Sequence, residues 1–182
     1  MRGAGDWRRA VYFILPLPRF YRLPCPVRRH VIMGKLSETL QLAQRRSADF
    51  RLPYEGALTP AEAWFVLQNA PGAKLIDVRT HAELDWVGRI PGAIEIEWLD
   101  YPARQLNPHF LAELKHAVPA DTLLLFICRS GVRSSDAAQR ATEAGFVDCY
   151  NVLEGFEGNK DALGHRSSVG GWRAAGLPWI QG

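Results

Sequence analysis

Short apolar runs alternate with segments of helical periodicity along most of the chain. Apolar residues three or four positions apart predict helices between the runs. The runs typical of strands cover residues 74–78, 93–98, 122–127 and 147–152. The third, "TLLLFI", contains no charged residue, as expected for a central strand covered on both faces. Because strands alternating with helices of about ten residues form βαβ units, we expect an α/β fold: a doubly wound, mainly parallel sheet of about five strands with helices on both faces.

Helix boundaries are marked by residues that favour caps. The pairs Thr59–Glu62 and Thr80–Glu83 both have the spacing of a capping box. Gly145 is suited to end the helix that begins near residues 134–135. Each of these three signals predicts where one helix begins or ends.

Charge divides the chain into unequal parts. Residues 1–32 carry seven Arg and one Asp, whereas residues 33–182 carry 15 basic and 18 acidic side chains. A clean helical pattern opens at Met33. We therefore interpret residues 1–32 as a basic leader that is disordered or lies upstream of the true start, 33–56 as a peripheral helix and 57–182 as the main domain.

The composition argues against several classes of partner. The net charge of +3 comes from the leader, so the main domain is mildly acidic and predicts no nucleic-acid binding. The apolar run at residues 10–18 is far shorter than the ~20 residues that span a bilayer, and we expect no membrane partner. Three cysteines without a CxxC motif and five scattered histidines indicate a reducing, cytoplasmic location. They predict no disulfide framework, no metal site and no cofactor.

One cysteine lies where the most buried strand meets a cationic loop. In an open α/β sheet, ligands bind beyond the carboxyl ends of the strands, and Cys128 directly follows the run 122–127. The next helix begins near residues 134–135, so its free N–H groups and the positive end of its dipole face the thiol. Helix N-termini and nearby cations favour the anionic form of cysteine. We therefore predict a thiolate at neutral pH.

The loop after this cysteine has the composition of an anion receptor. Gly131 permits the positive φ of a tight cradle, the serines offer hydroxyl donors, and Arg133 can fork onto two oxygens of a sulfonate or phosphate. Nucleophilic catalysis is assigned to Cys128. The predicted anion-binding residues are Arg129, Ser130, Gly131, Val132, Arg133 and Ser134.

Simpler interpretations exist for every cysteine. A free cysteine is often only a small packed hydrophobe, and this alternative applies to Cys128, although strand end, cationic loop and helix start coincide there. Cys149 lies in an apolar run without an adjacent cation and is interpreted as packed. Cys25 falls in the leader and is given no role. His165 is interpreted as an exposed loop residue.

Three segments together resemble the rhodanese family of sulfurtransferases, and the resemblance covers residues 58–180. The segment "LIDVRTHAELDWVGRIPGA" is similar to the family's N-terminal signature, "CRSGVRS" to its active-site loop and "GGWRAAGLPW" to its closing motif. The order of the three makes the resemblance specific. It implies a doubly wound α/β fold and a cysteine that cycles through a persulfide.

The resemblance also implies roles for single residues. Cys128 would attack the outer sulfur of a small anionic donor such as thiosulfate, release sulfite, and pass the sulfur to cyanide, a thiol or a protein acceptor. The backbone N–H groups from Arg129 to Ser134 would hold the terminal sulfur, and Arg133 would grip the donor's oxygens. Asp77 and Arg79 match signature positions and are interpreted as structural.

Two departures from the family pattern are visible. Arg89 replaces the signature histidine in a turn away from the loop, where we expect no loss of activity. The tract 156–171 is longer than in a minimal family domain. If it folds over the crevice, it would restrict substrate size or form a docking surface.

Two other functions fit parts of the same pattern. Phosphatases of this fold attack phosphorus with the equivalent cysteine, but they place five residues between Cys and Arg, whereas four separate Cys128 from Arg133. The shorter loop makes a smaller anion cavity and favours sulfur transfer. A non-catalytic interaction module is the other alternative, although inactive family members usually lack the cysteine.

Overall fold

The computed structural model describes residues 26–181, with side chains from Val31 onward. Residues 1–25 of the predicted leader, 1–32, lie outside the described residues, and residues 26–32 belong to a helix. The strands are β1 (Gly56–Leu58), β2 (Lys74–Asp77), β3 (Ile94–Glu95), β4 (Leu124–Ile127) and β5 (Cys149–Val152). The helices are α1 (Pro26–Phe50), α2 (Pro60–Asn69), α3 (His81–Val87), α4 (Phe110–Ala117) and α5 (Val132–Glu143).

All five strands form one parallel sheet in the order β1-β5-β4-β2-β3. The run without charged residues is the central strand β4, as predicted. Its alternate residues enter two different cores. Leu124 and Phe126 pack with residues of α4 and α5 on one face, and Leu125 and Ile127 pack with residues of α1 and α2 on the other. The doubly wound α/β fold is confirmed.

Local capping chemistry explains where the helices begin and end. Both predicted capping boxes, Thr59–Glu62 and Thr80–Glu83, are present with reciprocal hydrogen bonds. Gly145 follows α5 with a φ of +96°, which favours glycine after a helix. The start of α5 was predicted two or three residues too late. It begins at Val132, because Gly131 in the left-handed region turns the chain directly from the loop into the helix.

The first strand was missing from the predicted set. β1 has three residues, all buried, and pairs with β5 at the edge of the sheet. Three residues are too short to show a period, and the strand begins with a glycine, a residue that is uncommon in strands. Burial against α1 and pairing with β5 decide its conformation.

Helix α1 extends on both sides of Met33, where the helical pattern was predicted to open. Leu36 and Ala43 are buried against the sheet, and Arg46 donates two hydrogen bonds to the carboxylate of Glu62 in α2. This helix is therefore attached to the domain by apolar contacts and by an ion pair. The assignment of the true start to Met33 stays a prediction. Among the described residues, none of the helices has the length and apolarity needed to cross a membrane.

The chain after β5 contains turns and bends but neither helix nor strand through residue 171. Trp172 is then fully buried, and Ile180 forms an isolated antiparallel bridge with Arg89. Arg89 also pairs with Asp85 and Glu95. These contacts place Arg89 in the predicted turn near the C-terminal segment, and its expected lack of effect on activity stays a prediction.

Candidate active site

Cys128 lies at the carboxyl end of the central strand. It directly follows β4, between the end of β2 at Asp77 and the buried Asn151 of β5. Only 1% of Cys128 is exposed. Burial alone would suit a packed cysteine, so the polar contacts of its sulfur decide between the two interpretations.

The sulfur sits at the start of α5. Gly131 has a φ of +91°, and its N–H donates a hydrogen bond to Cys128 Sγ at 3.2 Å. The first three N–H groups of α5 have no acceptor within the described part of the chain, because the first turn of a helix lacks preceding carbonyl partners. The positive end of the helix dipole lies at the same place. This arrangement suits an anion at or beyond the sulfur.

The segment after β5, residues 155–158, binds carbonyl groups of the active-site loop, residues 128–134, and is called the supporting segment below. The Phe156 N–H donates to the Cys128 carbonyl at 2.8 Å, and the Glu157 N–H donates to the Arg129 carbonyl at 2.9 Å. Because C=O and N–H point in opposite directions across a trans peptide, the N–H groups that follow these carbonyls point away from the supporting segment. The support therefore leaves donors, rather than acceptors, on the open side of the loop.

The tract 156–171 thus begins as a support of the loop. Its later part is joined to this support, since the Ser167 N–H donates to the Glu157 carbonyl and the Gly171 N–H donates to Glu154 Oε2. None of the tract's residues lines the cavity beside the active-site loop. The contacts of the tract are therefore behind the loop, and its predicted effect on substrate size or docking stays untested.

A glycine is required where the supporting segment meets the loop. Gly155 has a φ of +64°, and a Cβ placed there would lie 2.4 Å from the Cys128 carbonyl oxygen and 2.7 Å from the Arg129 carbonyl carbon. Backbone atoms of the active-site loop leave no room for a side chain. The close approach is what allows the following N–H groups to reach the loop.

Replacement of Gly155 by alanine is expected to destabilise the fold by about 2–4 kcal/mol, since left-handed strain and overpacking add, and to lower activity in the folded fraction. Gly176→Ala is the matched control: its φ of +66° is nearly the same, but a Cβ there meets no atom within 4 Å. Urea unfolding should show a loss of about 1 kcal/mol for the control. Equal losses in the two variants would contradict the steric argument.

Two buried polar side chains complete the surroundings of the sulfur. The Ser134 hydroxyl lies 3.3 Å from Cys128 Sγ and 2.7 Å from Asn151 Oδ1. Asn151 Nδ2 in turn donates to the Gly131 carbonyl at 3.1 Å. The sulfur is therefore surrounded by hydrogen-bonding groups, which a merely packed cysteine does not require.

Arg133 is engaged by a carboxylate. Its two terminal nitrogens donate to Glu83 at 2.7 and 2.6 Å, a bidentate pair that joins α5 to α3. Burial alone would raise the pKa of Glu83, but the hydrogen bonds and charge of Arg133, with the hydrogen bonds from Thr80, lower it to about 2. The predicted contact of Arg133 with the donor's oxygens stays a prediction, since both terminal nitrogens bind Glu83 in this structure.

Glu83→Gln is expected to lower the free energy of unfolding by about 2–3 kcal/mol at neutral pH. Because folding lowers the pKa of Glu83 from 4.5 to about 2, its stabilisation is complete above pH 4.5 and is lost as the pH falls toward about 2. The difference between wild type and variant should therefore shrink in urea titrations below pH 4.5. Glu143→Gln, in an exposed pair with Arg140, is the control and should cost less than about 0.5 kcal/mol at any pH. A Glu83→Gln deficit that does not change with pH would contradict the assignment.

A second ion pair organises the end of β2. Asp77 and Arg79 are both fully buried, and Asp77 accepts hydrogen bonds from Arg79 Nε and Nη2. The Arg79 guanidinium also lies over the Phe156 ring, 3.9 Å from its centroid. Since Phe156 holds the Cys128 carbonyl, this pair braces the supporting segment. The buried pair agrees with the predicted structural role of the two residues, which stays a prediction.

A cavity of about 170 Å³ opens beside the active-site loop. Arg129 projects into its wall and forms no ion pair with the described residues. Arg104 lies across the same cavity. The lining residues are Thr80, Glu83, Leu99, Asp100, Tyr101, Arg104, Arg129 and Arg133. The cavity offers both positive charge and apolar surface next to the loop.

The remaining candidates lie away from this chemistry. Cys149 is fully buried, and burial raises the pKa of its thiol to about 11, which agrees with the predicted packing role. The His165 side chain is 74% exposed and lies near Asp161, as expected for a loop residue. Cys25 lies outside the described residues.

Comparison with known proteins identifies the family. A model of the rhodanese-like domain matches residues 59–162. The chain is 47% identical to Rv0390 from M. tuberculosis, whose crystal structure superposes with a TM-score of 0.66 over 71% of this chain and 99% of that one. The chain belongs to the rhodanese-like domain family, and both the resemblance and the fold that it implied are confirmed.

Two curated relatives differ in what is known of them. An uncharacterised protein, RP600, from Rickettsia prowazekii is 36% identical over 123 residues, which cover 66% of this chain and 92% of the relative. The thiosulfate sulfurtransferase GlpE from Pseudomonas putida is 32% identical over 98 residues, which cover 54% of this chain and 79% of the relative. Named sulfurtransferases are thus distant relatives of this chain.

Several residues of the site were absent from the sequence predictions. Glu83 was assigned only as a capping residue, and it also binds Arg133. Asn151 and Gly155 received no role, and the cavity residues around Tyr101 were not considered. No local sequence signal separates Gly155 from the other glycines. The need for glycine at this position comes from its close contact with the loop backbone.

Proposed function

We propose that this protein is a sulfurtransferase that carries a sulfane sulfur as a persulfide on Cys128. The observation that carries the proposal is the set of N–H donors at the loop: the Cys128 and Arg129 carbonyls are bound from behind, the Gly131 N–H donates to Sγ, and the first N–H groups of α5 remain for an anion. A persulfide places its negative charge on the outer sulfur, which extends from Sγ toward these donors. Family membership and the distant thiosulfate sulfurtransferases support the same reaction.

The proposed cycle has two displacement steps. The Cys128 thiolate attacks the outer sulfur of thiosulfate, the sulfur–sulfur bond of the donor breaks, and sulfite leaves with the bonding electron pair. A nucleophile such as cyanide or a thiolate then attacks the outer sulfur of the persulfide. The Cys128 thiolate leaves and the product is thiocyanate or a new persulfide. No redox cofactor is needed, because each step transfers a neutral sulfur atom between nucleophiles.

The donor and acceptor classes follow from the cavity. Arg129 and Arg104 offer positive charge to a small anionic donor, while Leu99 and Tyr101 offer apolar contact to a larger thiol or protein acceptor. A reducing, cytoplasmic setting is proposed with the same function, since Cys128 must be a free thiol to accept sulfur. Both free cysteines in the described part of the chain agree with such a setting.

The experiment that tests this function compares two reactions of the same cysteine. Steady-state release of sulfite from thiosulfate, with cyanide as acceptor, is measured beside hydrolysis of a generic aryl phosphate. We expect thiosulfate to be turned over. We expect hydrolysis of the aryl phosphate to stay at background, because four residues between Cys128 and Arg133 leave a small anion cavity. Comparable turnover of both substrates would replace the proposal with phosphatase activity, and turnover of neither would favour a binding module.

A further inference from the structure

A buried chain of polar side chains runs from the reactive sulfur to the neighbouring strand. Ser134 is fully buried and Asn151 is 3% exposed. The Ser134 hydroxyl oxygen is 3.3 Å from Cys128 Sγ and 2.7 Å from Asn151 Oδ1. Both distances permit hydrogen bonds, but a hydroxyl has a single proton to donate.

The orientation of the Asn151 amide decides where that proton lies. Asn151 Nδ2 donates to the Gly131 carbonyl at 3.1 Å, and a carbonyl can only accept. The amide oxygen must therefore face Ser134. Because Oδ1 has no proton, its short contact with Oγ requires the Ser134 proton, and the hydroxyl then presents only lone pairs to Cys128.

This arrangement suits a neutral sulfur better than a charged one. A Cys128 thiol can donate its S–H to Ser134 Oγ and complete a chain of hydrogen bonds that ends at Asn151. A thiolate would face the lone pairs of Oγ, and it gains a hydrogen bond only when the hydroxyl turns away from Asn151. The thiolate therefore accepts a hydrogen bond from Ser134 only when the hydrogen bond between Ser134 and Asn151 breaks.

We propose that Asn151 is a positioning residue that holds the Ser134 proton away from Cys128 while the sulfur is neutral and yields it when the thiol ionises. Ionisation releases the thiol proton to solvent, and the hydroxyl rotates without forming or breaking any other covalent bond. The inner sulfur of a persulfide is neutral as well, so the proton returns to Asn151 when the sulfur is loaded. This last step rests on the proposed function, whereas the proton placement does not.

The charged groups near the sulfur do not produce this effect. They are Arg129 in the loop, Arg133 on α5, Glu83 on α3 and the Asp77–Arg79 pair at the end of β2. None of them is hydrogen-bonded to Ser134 or Asn151 in the described part of the chain, and replacement of Asn151 leaves their number unchanged. A change in the ionisation of Cys128 in such a variant therefore reports on Ser134.

The test is a titration of thiolate absorbance near 240 nm in the full chain. Each spectrum is corrected by the same variant that also carries Cys128→Ser, so that only Cys128 contributes. In Asn151→Leu the Ser134 proton is free for the sulfur, and the midpoint should fall by roughly one pH unit. Ser134→Ala removes both the acceptor of the thiol and the donor of the thiolate, and it serves as the background for the double variant.

The double variant separates proton placement from a purely structural role. With Ser134→Ala already present, Asn151→Leu should move the midpoint by less than about 0.3 unit. If Asn151 only holds the Gly131 carbonyl, its loss displaces the Gly131 N–H from Sγ, and the midpoint rises in both backgrounds. A rise, no shift, or an equal shift in both backgrounds overturns the proposal. Asn151→Ala is the second variant should the leucine not fold, with the same expected fall, and none of these readouts depends on sulfur transfer.

Discussion

Replacement of Cys128 by serine should abolish sulfur transfer, with a loss of turnover of more than about 1,000-fold. A serine hydroxyl keeps the size and the hydrogen bonds of the site, but it is not ionised at neutral pH and cannot form the sulfur–sulfur bond of a persulfide. The measurement is sulfite release from thiosulfate at saturating cyanide. Because the change is nearly isosteric, thermal unfolding of the variant should stay close to that of the wild type.

Cys149→Ala is the matched control for this result. Cys149 is equally buried, and burial raises the pKa of its thiol to about 11. Its thiol therefore stays protonated at neutral pH, and turnover of its folded variant should stay within about twofold of wild type. Residual activity of Cys128→Ser at the level of the control would contradict the assignment of the nucleophile.

The second large effect concerns stability. Asp77→Asn is expected to lower the free energy of unfolding by about 3–5 kcal/mol, since it leaves the Arg79 guanidinium buried without a counter-charge. Both side chains of the pair are fully buried. The same change should lower sulfur transfer, because Arg79 packs on Phe156, which holds the Cys128 carbonyl.

Asp85→Asn tests whether burial is the reason for the large loss of stability expected in Asp77→Asn. Asp85 also pairs with an arginine, Arg89, but its side chain is 65% exposed, and its loss should cost less than about 1 kcal/mol. Urea unfolding of both variants gives the comparison directly. Similar losses of unfolding free energy in the two variants would mean that the buried pair stabilises the fold no more than an exposed ion pair does.

The parts of the fold that sequence predicted are those set by local chemistry. The uncharged run that became β4, the capping boxes at Thr59 and Thr80, and Gly145 after α5 all depend on residues close together in the chain. The position of Cys128 followed from one rule about the carboxyl ends of parallel strands. Family resemblance then supplied the chemistry, which position alone does not define.

The parts that were missed depend on distant contacts. Arg133 and Glu83 are 50 residues apart, and nothing near Arg133 in sequence shows that a carboxylate occupies it. Asn151 resembles any strand residue until β5 is placed beside β4, and Gly155 resembles any turn glycine until it meets the loop. β1 is a strand only because α1 covers it and β5 pairs with it.

The central claim is that Cys128 carries the transferred sulfur, and the mass of the intact protein after incubation with thiosulfate tests it most directly. We predict one added sulfur atom, located by peptide mapping on the fragment that contains Cys128, with one sulfite released for each sulfur bound. Neither should appear with Cys128→Ser, and cyanide should remove the added sulfur from the wild type as thiocyanate. An unchanged mass without sulfite release in the wild type, or an adduct that persists in Cys128→Ser, would contradict the claim.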